Sequence, residues 1–290
     1  MPNLKEIRAR IHSVASTQKI TSAMKMVSAA KLKKSEGLTM SFLPYRNKLS
    51  EALSNYLSSL EEEVNIPLAE QREVRRVAII AFSSSSGLCG VYNSNIIKLF
   101  KKTYDEYVNR LGADNVEVLL YGKKINDYAK KFGIKVEKAY EPLAEKMSYE
   151  LAMEVSDMMV DLFLSHKVDR VELIFNHFKN AGVQVPTREV VLPLKAEAAS
   201  GGMSFDYIVE PDKETFVNQL IPKVVRTNFY SIMLDTLTAE HGARMTAMHI
   251  ASDNADQLSQ ELKIQYNKAR QNVITNELID IVGGAEALNG

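Results

Sequence analysis

The chain has 290 residues, 46% hydrophobic and 25% charged, with 36 basic residues balanced by 36 acidic ones. Overall neutrality argues against a protein held to nucleic acid or an acidic surface by bulk charge. The single cysteine, Cys89, excludes an internal disulfide and fits a reducing compartment, and no apolar run is long enough to span a bilayer, so a soluble or peripheral protein is expected.

The first element reads as a helix. Asn3 fits an N-cap, and Glu6 follows three residues later as in a capping box. Leu4, Ile7, Ile11 and Val14 step by three and four, and the seam then turns polar and small at Gln18, Thr21 and Ala23. Between Met1 and Lys34, Lys5, Arg8, Arg10, Lys19, Lys25, Lys31, Lys33 and Lys34 stand against one acid, Glu6. Spacing alone favours a solvated helix face over a binding strip. The basic, acid-poor start also resembles a transit peptide, but the regular apolar steps favour a helix of the mature protein. A second run, Leu38, Phe42, Tyr45, Leu49, Ala52, Tyr56 and Leu60, contains Pro44. Proline disfavours a helix interior, so a kink or restart is expected between Met40 and Pro44. Glu61, Glu62, Glu63 and Pro67 close the region.

The middle alternates strand and helix patterns. Val74 to Phe82 reads as a strand, Asn95 to Leu111 as a helix, Val116 to Tyr121 as a strand and Lys123 to Phe132 as a helix. Ile134 to Ala139 fits a short strand, Ser148 to Leu164 a helix and Val171 to Phe178 a strand. This alternation predicts βαβ units and a largely parallel sheet. Val183 to Leu194, with its prolines, reads as an edge strand. Ala198 to Met203 reads as a linker, and Asp206 to Asp212 as a short extended piece.

From Lys223 to Val282 there is no proline and one glycine, Gly242. As one helix this stretch would reach roughly 90 Å at ~1.5 Å per residue. Met248, Ala251, Ala255, Leu258, Leu262, Tyr266, Ala269 and Val273 form a seam with a mean step near the coiled-coil value. An antiparallel coiled coil with the N-terminal helix would bury it without a large core. Beyond a polar collar, Tyr266 to Gln271 with Thr275, Asn276 and Glu277, come Leu278, Ile279, Ile281 and Val282, and Gly283-Gly284 is expected to end the helix. Such a tip suits insertion into another protein.

Candidate catalytic chemistry is sparse. Ser83 to Gly90 follows a strand and precedes a helix, where phosphate loops sit. It lacks both the Gly-Lys-Ser/Thr ending and the three-glycine spacing, so a tight turn is the better reading. Cys89 has no histidine pattern to activate it, and His241 and His249 do not make a metal pair. A nucleotide-dependent enzyme using this loop and a basic coiled coil binding nucleic acid are the competing readings.

Several motifs together resemble the gamma subunit family of F-type ATP synthases. They are Leu4-Lys5-Glu6-Ile7-Arg8, Thr17-Gln18-Lys19-Ile20-Thr21, Ala23-Met24-Lys25-Met26-Val27 and Gly87-Leu88-Cys89-Gly90 with Asn93. The densest match is Ala243-Arg244-Met245-Thr246-Ala247-Met248, Ala251, Asp253-Asn254-Ala255, and Tyr266-Asn267-Lys268-Ala269-Arg270-Gln271 to Glu277-Leu278. The resemblance implies an α/β fold class: an antiparallel coiled coil of N- and C-terminal helices (1–66 and 206–290) flanking a Rossmann-like α/β domain (67–205). It implies a rotor without catalytic residues, cofactor or metal, which couples proton or sodium flow to ATP synthesis or hydrolysis. The implied partners are the alpha and beta subunits, the epsilon subunit and the membrane c ring, with no nucleic acid.

Contacts to beta would then fall on Met24, Lys31, Lys33, Lys34, Arg244, Arg270, Gln271, Thr275 and Glu277, and the c ring would face Tyr207 and Glu210. The chain departs from the family pattern at Ser85, Ser86, Val91, Phe205 and Val209, and it lacks the cysteine-containing regulatory insert of chloroplast members. The lack of an evident presequence fits the cytoplasmic face of a bacterial plasma membrane; a processed form on the mitochondrial matrix side is the alternative.

Overall fold

The computed structural model describes residues 4–59, 66–140, 148–194 and 213–289. Asn3, Glu61 to Glu63, the 198–203 linker, the 206–212 piece, Phe205, Tyr207, Val209 and Glu210 lie outside the described residues. The elements run α1 (Leu4–Ser59), β1 (Val77–Phe82), α2 (Tyr92–Leu111), β2 (Val116–Tyr121), α3 (Lys123–Lys131), β3 (Lys138–Tyr140), α4 (Tyr149–Leu164), β4 (Arg170–Asn180), β5 (Val183–Leu192) and α5 (Lys213–Asn289). They divide into two units, one of Ala29–Arg244 and one of Met1–Ser28 with Met245–Gly290.

The larger unit is built on a sheet of order β3-β2-β1-β4-β5. β3, β2, β1 and β4 are parallel neighbours, and β5 returns antiparallel to β4. Helices cover both faces. Val77, Ile79 and Ala81 of β1 pack with Ile96 and Phe100 of α2 and with Ile125 and Ala129 of α3. Ala78, Ile80 and Phe82 face the other way, toward Val155, Met159 and Phe163 of α4 and toward Leu53 of α1 and Phe229 of α5. Burial on both faces is why β1 reads as a continuous apolar run rather than an alternating one. β5 ends the sheet, as its Pro186 requires, because proline has no N–H to offer a further strand. Ser148 caps α4, its Oγ accepting from the Leu151 N–H.

The restart expected near Pro44 does not occur: α1 is one helix from Leu4 to Ser59 with Pro44 inside it. In the larger unit Leu32, Ser35, Thr39, Phe42, Arg46, Leu49, Leu53 and Tyr56 are buried or half-buried at steps of three and four. Pro44 is exposed, off that seam. Residues on either side of it are held to α5: Phe42 packs edge-on against Tyr230 at 4.9 Å, and Arg46 Nη1 donates to Ser231 Oγ at 3.2 Å. Packing of this kind offsets the one backbone hydrogen bond that proline removes. Leu38 and Tyr45, expected in the seam, are 46% and 45% exposed; the seam passes through their neighbours Thr39 and Arg46.

In the smaller unit α1 and α5 pair antiparallel. Arg8 Nη2 donates to Tyr266 Oη (3.2 Å), Gln18 Nε2 donates to Asp256 Oδ1 (3.4 Å), Thr21 and Ser252 share a hydroxyl hydrogen bond (2.7 Å), and Lys25 Nζ lies 3.4 Å from His249 Nδ1. Each step along α1 is matched within one residue by an opposite step along α5, so a single register holds. The α5 seam is Met248, Ser252, Ala255, Ser259, Leu262, Tyr266 and Ala269, all buried or half-buried. Leu258 and Val273, expected in it, are each 40% exposed. The helix also continues through Gly283-Gly284 to Asn289. Neither glycine takes a positive φ, and each costs a helix only about 1 kcal/mol relative to alanine.

Candidate functional site

The register of the smaller unit sets where α5 becomes bare. It places Leu4, the first described residue of α1, level with Arg270 of α5. From Arg270 to Ala285 every residue of α5 is exposed. Within that stretch Val273, Ile274, Leu278, Ile279, Ile281 and Val282 are between 40% and 67% exposed. At about 100° per residue these side chains spread over roughly 240° of the helix circumference. A stripe would fit one neighbouring helix; so wide an apolar surface fits an enclosing sleeve.

Arg270, Gln271, Thr275 and Glu277 all lie on the bare segment. Thr275 Oγ1 donates back to the Gln271 carbonyl at 2.9 Å, and Gln271 itself is exposed. Met24 is half-buried on α1 in the smaller unit, whereas Lys31, Lys33 and Lys34 are exposed on α1 in the larger one. Arg244 differs from all of these. It is 8% exposed, and its guanidinium is engaged within the chain.

The partners of Arg244 are Glu240 and the loop between β1 and α2. Nη2 donates to Glu240 Oε1 (2.8 Å), to Ser86 Oγ (2.9 Å) and to the Ser86 carbonyl (3.5 Å), and Nε donates to the Gly87 carbonyl (3.5 Å). The loop itself is closed by internal bonds. Asn93 Oδ1 accepts from the Ser84 N–H (3.0 Å), and Asn93 Nδ2 donates to Cys89 Sγ (3.0 Å) and to Ser84 Oγ (2.8 Å). Ser83 Oγ accepts from the Ile125 N–H (3.0 Å) at the start of α3. Leu88 and Gly90 turn the chain with φ of 63° and 59°. A phosphate loop aims N–H groups outward at an anion. This loop aims carbonyls and a hydroxyl at a cation of its own chain.

Cys89 is 2% exposed and sits with Tyr92, Ala239 and Ala243 against Phe178. Tyr92 Oη donates to the Thr236 carbonyl (3.2 Å), and burial holds its hydroxyl pKa well above the usual phenol value. A Cβ on Gly242 would come within 3.0 Å of Phe178 Cε2 and 3.3 Å of Ala181 Cα, so α5 passes very close to the β4–β5 turn here.

His241 is 7% exposed, and its Nδ1 has no hydrogen-bond partner among the described residues. Burial, reinforced by the positive charges of Arg244 and Lys31, pushes its pKa down to about 4. The imidazole is therefore neutral in the fold and would take up a proton on unfolding at any pH from about 4 to about 6.5. A depressed folded pKa in a base means that stability is lost as pH falls through this window. Unfolding by urea should require about 2 kcal/mol less at pH 5 than at pH 7.5 on account of this one group. The His241→Gln variant should flatten that slope; an unchanged slope would refute the assignment.

Sequence reading missed the ion-pair network across β4, β5 and α2. Glu172, 1% exposed, accepts from Tyr107 Oη (2.5 Å) and Arg188 Nε (2.6 Å), and Arg188 Nη1 reaches Glu106 (2.8 Å). The one signal available in sequence was Glu172 standing inside the apolar run VELIF. It also missed the His177–Asp235 pair (2.6 Å), since no spacing rule joins a strand to a helix 58 residues later.

Comparison with known proteins bears on the whole chain. A family model described as ATP synthase matches residues 3–288. The ATP synthase gamma chain of Flavobacterium johnsoniae is 49% identical over 294 residues, covering 100% of each chain. That of Bacteroides fragilis is 48% identical over 292 residues, covering 99% of this chain and 100% of the relative. Among solved structures, a chain of the Euglena gracilis mitochondrial ATP synthase (OSCP/F1/c-ring, rotational state 3) superposes with a TM-score of 0.69 at 20% identity, covering 98% of this chain and 94% of that one.

Proposed function

The chain belongs to the family of ATP synthase gamma chains, and from that membership we propose that its paired terminal helices are the turning shaft and the bare end of α5 its bearing surface. The chain is a rotor subunit and not a catalyst on its own. The observation that supports the bearing is the stretch from Arg270 to Ala285, exposed throughout, with apolar side chains spread over roughly 240° of its circumference among polar ones. A lone helix of this kind gains little stability in water and gains most when enclosed. The enclosing partner in this reading is the hexamer of alpha and beta subunits. Epsilon and the c ring are further partners in this reading, with Tyr207 and Glu210 assigned to the ring.

A rotor needs a low barrier to turning and a firm hold at a few points. The apolar sleeve supplies the first, because dispersion contacts are non-directional. Arg270, Gln271, Thr275 and Glu277 supply the second, as a polar band at the base of the bare segment. The exposed Lys31, Lys33 and Lys34 meet acidic loops of beta in a salt-sensitive way, while Met24 on α1 contributes packing near a loop of beta. No helix among the described residues is long and apolar enough to cross a membrane. Attachment at the cytoplasmic face of a bacterial plasma membrane then comes through the c ring.

Native mass spectrometry of a complex retrieved through a tag on this chain tests the assembly. One copy with three alpha and three beta chains is the expected result, and a homodimer free of them would overturn it. Within that complex, Arg270→Ala with Gln271→Leu should lower ATPase turnover coupled to ion transport by roughly threefold to tenfold, about 1 kcal/mol of lost polar contact. Equal coupled turnover in the variant and the parent would remove those two residues from the bearing.

A further inference from the structure

We propose that Arg244 is a positioning residue that anchors α5 to the α/β unit through the Ser86-Gly87 loop, and that its part in coupling is exerted inside the chain rather than against another subunit. This rests on the rotor reading above. Arg244 is the last residue of α5 in the larger unit. Its guanidinium spans two elements: Glu240 one turn earlier on α5, and the hydroxyl and carbonyls of Ser86 and Gly87 beyond β1.

Further contacts hold the same stretch of α5, among them the following. Tyr92 Oη binds the Thr236 carbonyl, Ala239 and Ala243 pack with Cys89 and Phe178, and Gly242 lies against the β4–β5 turn. These are single hydrogen bonds or apolar contacts, which permit small rotations of the helix about its axis. Arg244 is different, because a planar guanidinium with several fixed donors resists rotation as well as separation. α5 is also held further back, by Arg226–Asp157 and by Asp235, which accepts from the Phe178 N–H; Arg244 ties the final residue of its run in the larger unit. The loop takes the place of a phosphate loop in the topology but offers oxygens, so what it receives is the helix's own cation. Ser86 fits that use, since its hydroxyl and carbonyl are both acceptors.

The test has two arms. In the first, the full chain is melted. Arg244→Ala should lower the melting temperature by roughly 5–10 °C, because Glu240 is left buried without its guanidinium. Guanidinium ion at low millimolar concentration should restore much of the loss, since it fits the vacated oxygens; potassium at the same concentration should not. An unaltered melting temperature, or equal recovery with potassium, would refute the anchor. In the second arm, complexes reconstituted in vesicles are compared by ion-driven ATP synthesis and by ATP hydrolysis.

Arg244→Lys keeps a charge for Glu240 but loses the fork to the loop. It should recover most of the melting temperature while the ratio of synthesis to hydrolysis stays at least about threefold below that of the parent chain. Asp157→Asn, which breaks the Arg226–Asp157 pair between α4 and α5 (2.6 Å), controls for destabilisation and should leave the ratio unchanged. A ratio for Arg244→Lys equal to that of the parent would overturn the coupling role. If the parent chain itself fails to reconstitute, the rotor reading fails, and the melting arm still decides whether the anchor exists.

Discussion

Arg188→Ala is expected to lower the unfolding free energy of the α/β unit by about 3–5 kcal/mol, the usual cost of removing one member of a buried ion pair. Glu172 lies on β4 with 1% of its surface exposed, and Arg188 on the edge strand β5 supplies its closest cationic partner at 2.6 Å. Arg170, at 3.8 Å, is too distant for a hydrogen bond. Tyr107 would still donate to the carboxylate, but a neutral hydroxyl does not balance a buried charge. Replacing both members together, Arg188→Met with Glu172→Leu, should cost much less, because the charge that needed a partner has gone too. Urea titration of the parent, of Arg188→Met, of Glu172→Leu and of the double variant gives the coupling directly. A loss below about 1 kcal/mol for Arg188→Ala would show that the pair contributes nothing beyond an ordinary surface bridge.

Gly122→Ala should do comparable damage for another reason. A Cβ at this position would stand 2.1 Å from the Ser83 carbonyl oxygen, and the residue has a φ of +91°. Both faults act where β1 and β2 end side by side. The Ser83 N–H binds the Tyr121 carbonyl at 2.7 Å, and the Gly122 N–H binds the Tyr140 carbonyl at 3.1 Å. Moving Ser83 aside breaks this pairing and also its hold on the first turn of α3. A loss of about 4 kcal/mol, or failure to fold at 37 °C, is expected. Gly112→Ala is the matched comparison, with a φ of +85° but nothing within 4 Å of its Cβ. It should cost only about 1–2 kcal/mol. Similar losses for the two variants would show that backbone conformation alone matters and that the close approach to Ser83 is harmless.

Gly122→Ala acts at the base of the loop that holds Arg244, and Arg188→Ala acts beside the β4–β5 turn that meets α5. Gly122→Ala displaces Ser83, three residues before Ser86, which receives the guanidinium. Arg188→Ala removes a side-chain tie between β5 and β4, whose shared turn carries Ala181, the neighbour of Gly242.

Much of the architecture was legible in the sequence. Strand and helix patterns in the middle gave βαβ units because β1 and the cores of β2 and β4 are short apolar runs and the helices between them are amphipathic. Pro186 marked the edge strand through the hydrogen bond it cannot make. The long proline-free stretch gave α5, and the step of Ile7, Ile11 and Val14 gave the phase of α1 in the smaller unit. The seam of α5 was partly misread: Ala251 is half-buried as expected, but Ser252 beside it is buried more deeply, and Leu258 was chosen over Ser259. Hydrophobicity pointed to the leucine, but Thr21 supplies Ser252 with a hydroxyl partner, and a satisfied hydroxyl can occupy a seam at little cost. Pro44 and Gly283-Gly284 were read as breaks because local preference was weighed alone. At Pro44, packing of the neighbouring residues against α5 outweighs the preference.

The sequence by itself determined the class of the fold, the positions of nearly every element and the family, because these depend on periodicity and on residue types that recur in order along the chain. Tertiary structure alone decided where α5 becomes bare, that Arg244 faces inward to a loop more than 150 residues earlier, and that Glu172 is balanced by Arg188. The physical reason is common to the three. Periodicity is a property of neighbours in sequence, whereas the partner of a buried charge or the opposite number of a seam residue is set by which distant elements pack together.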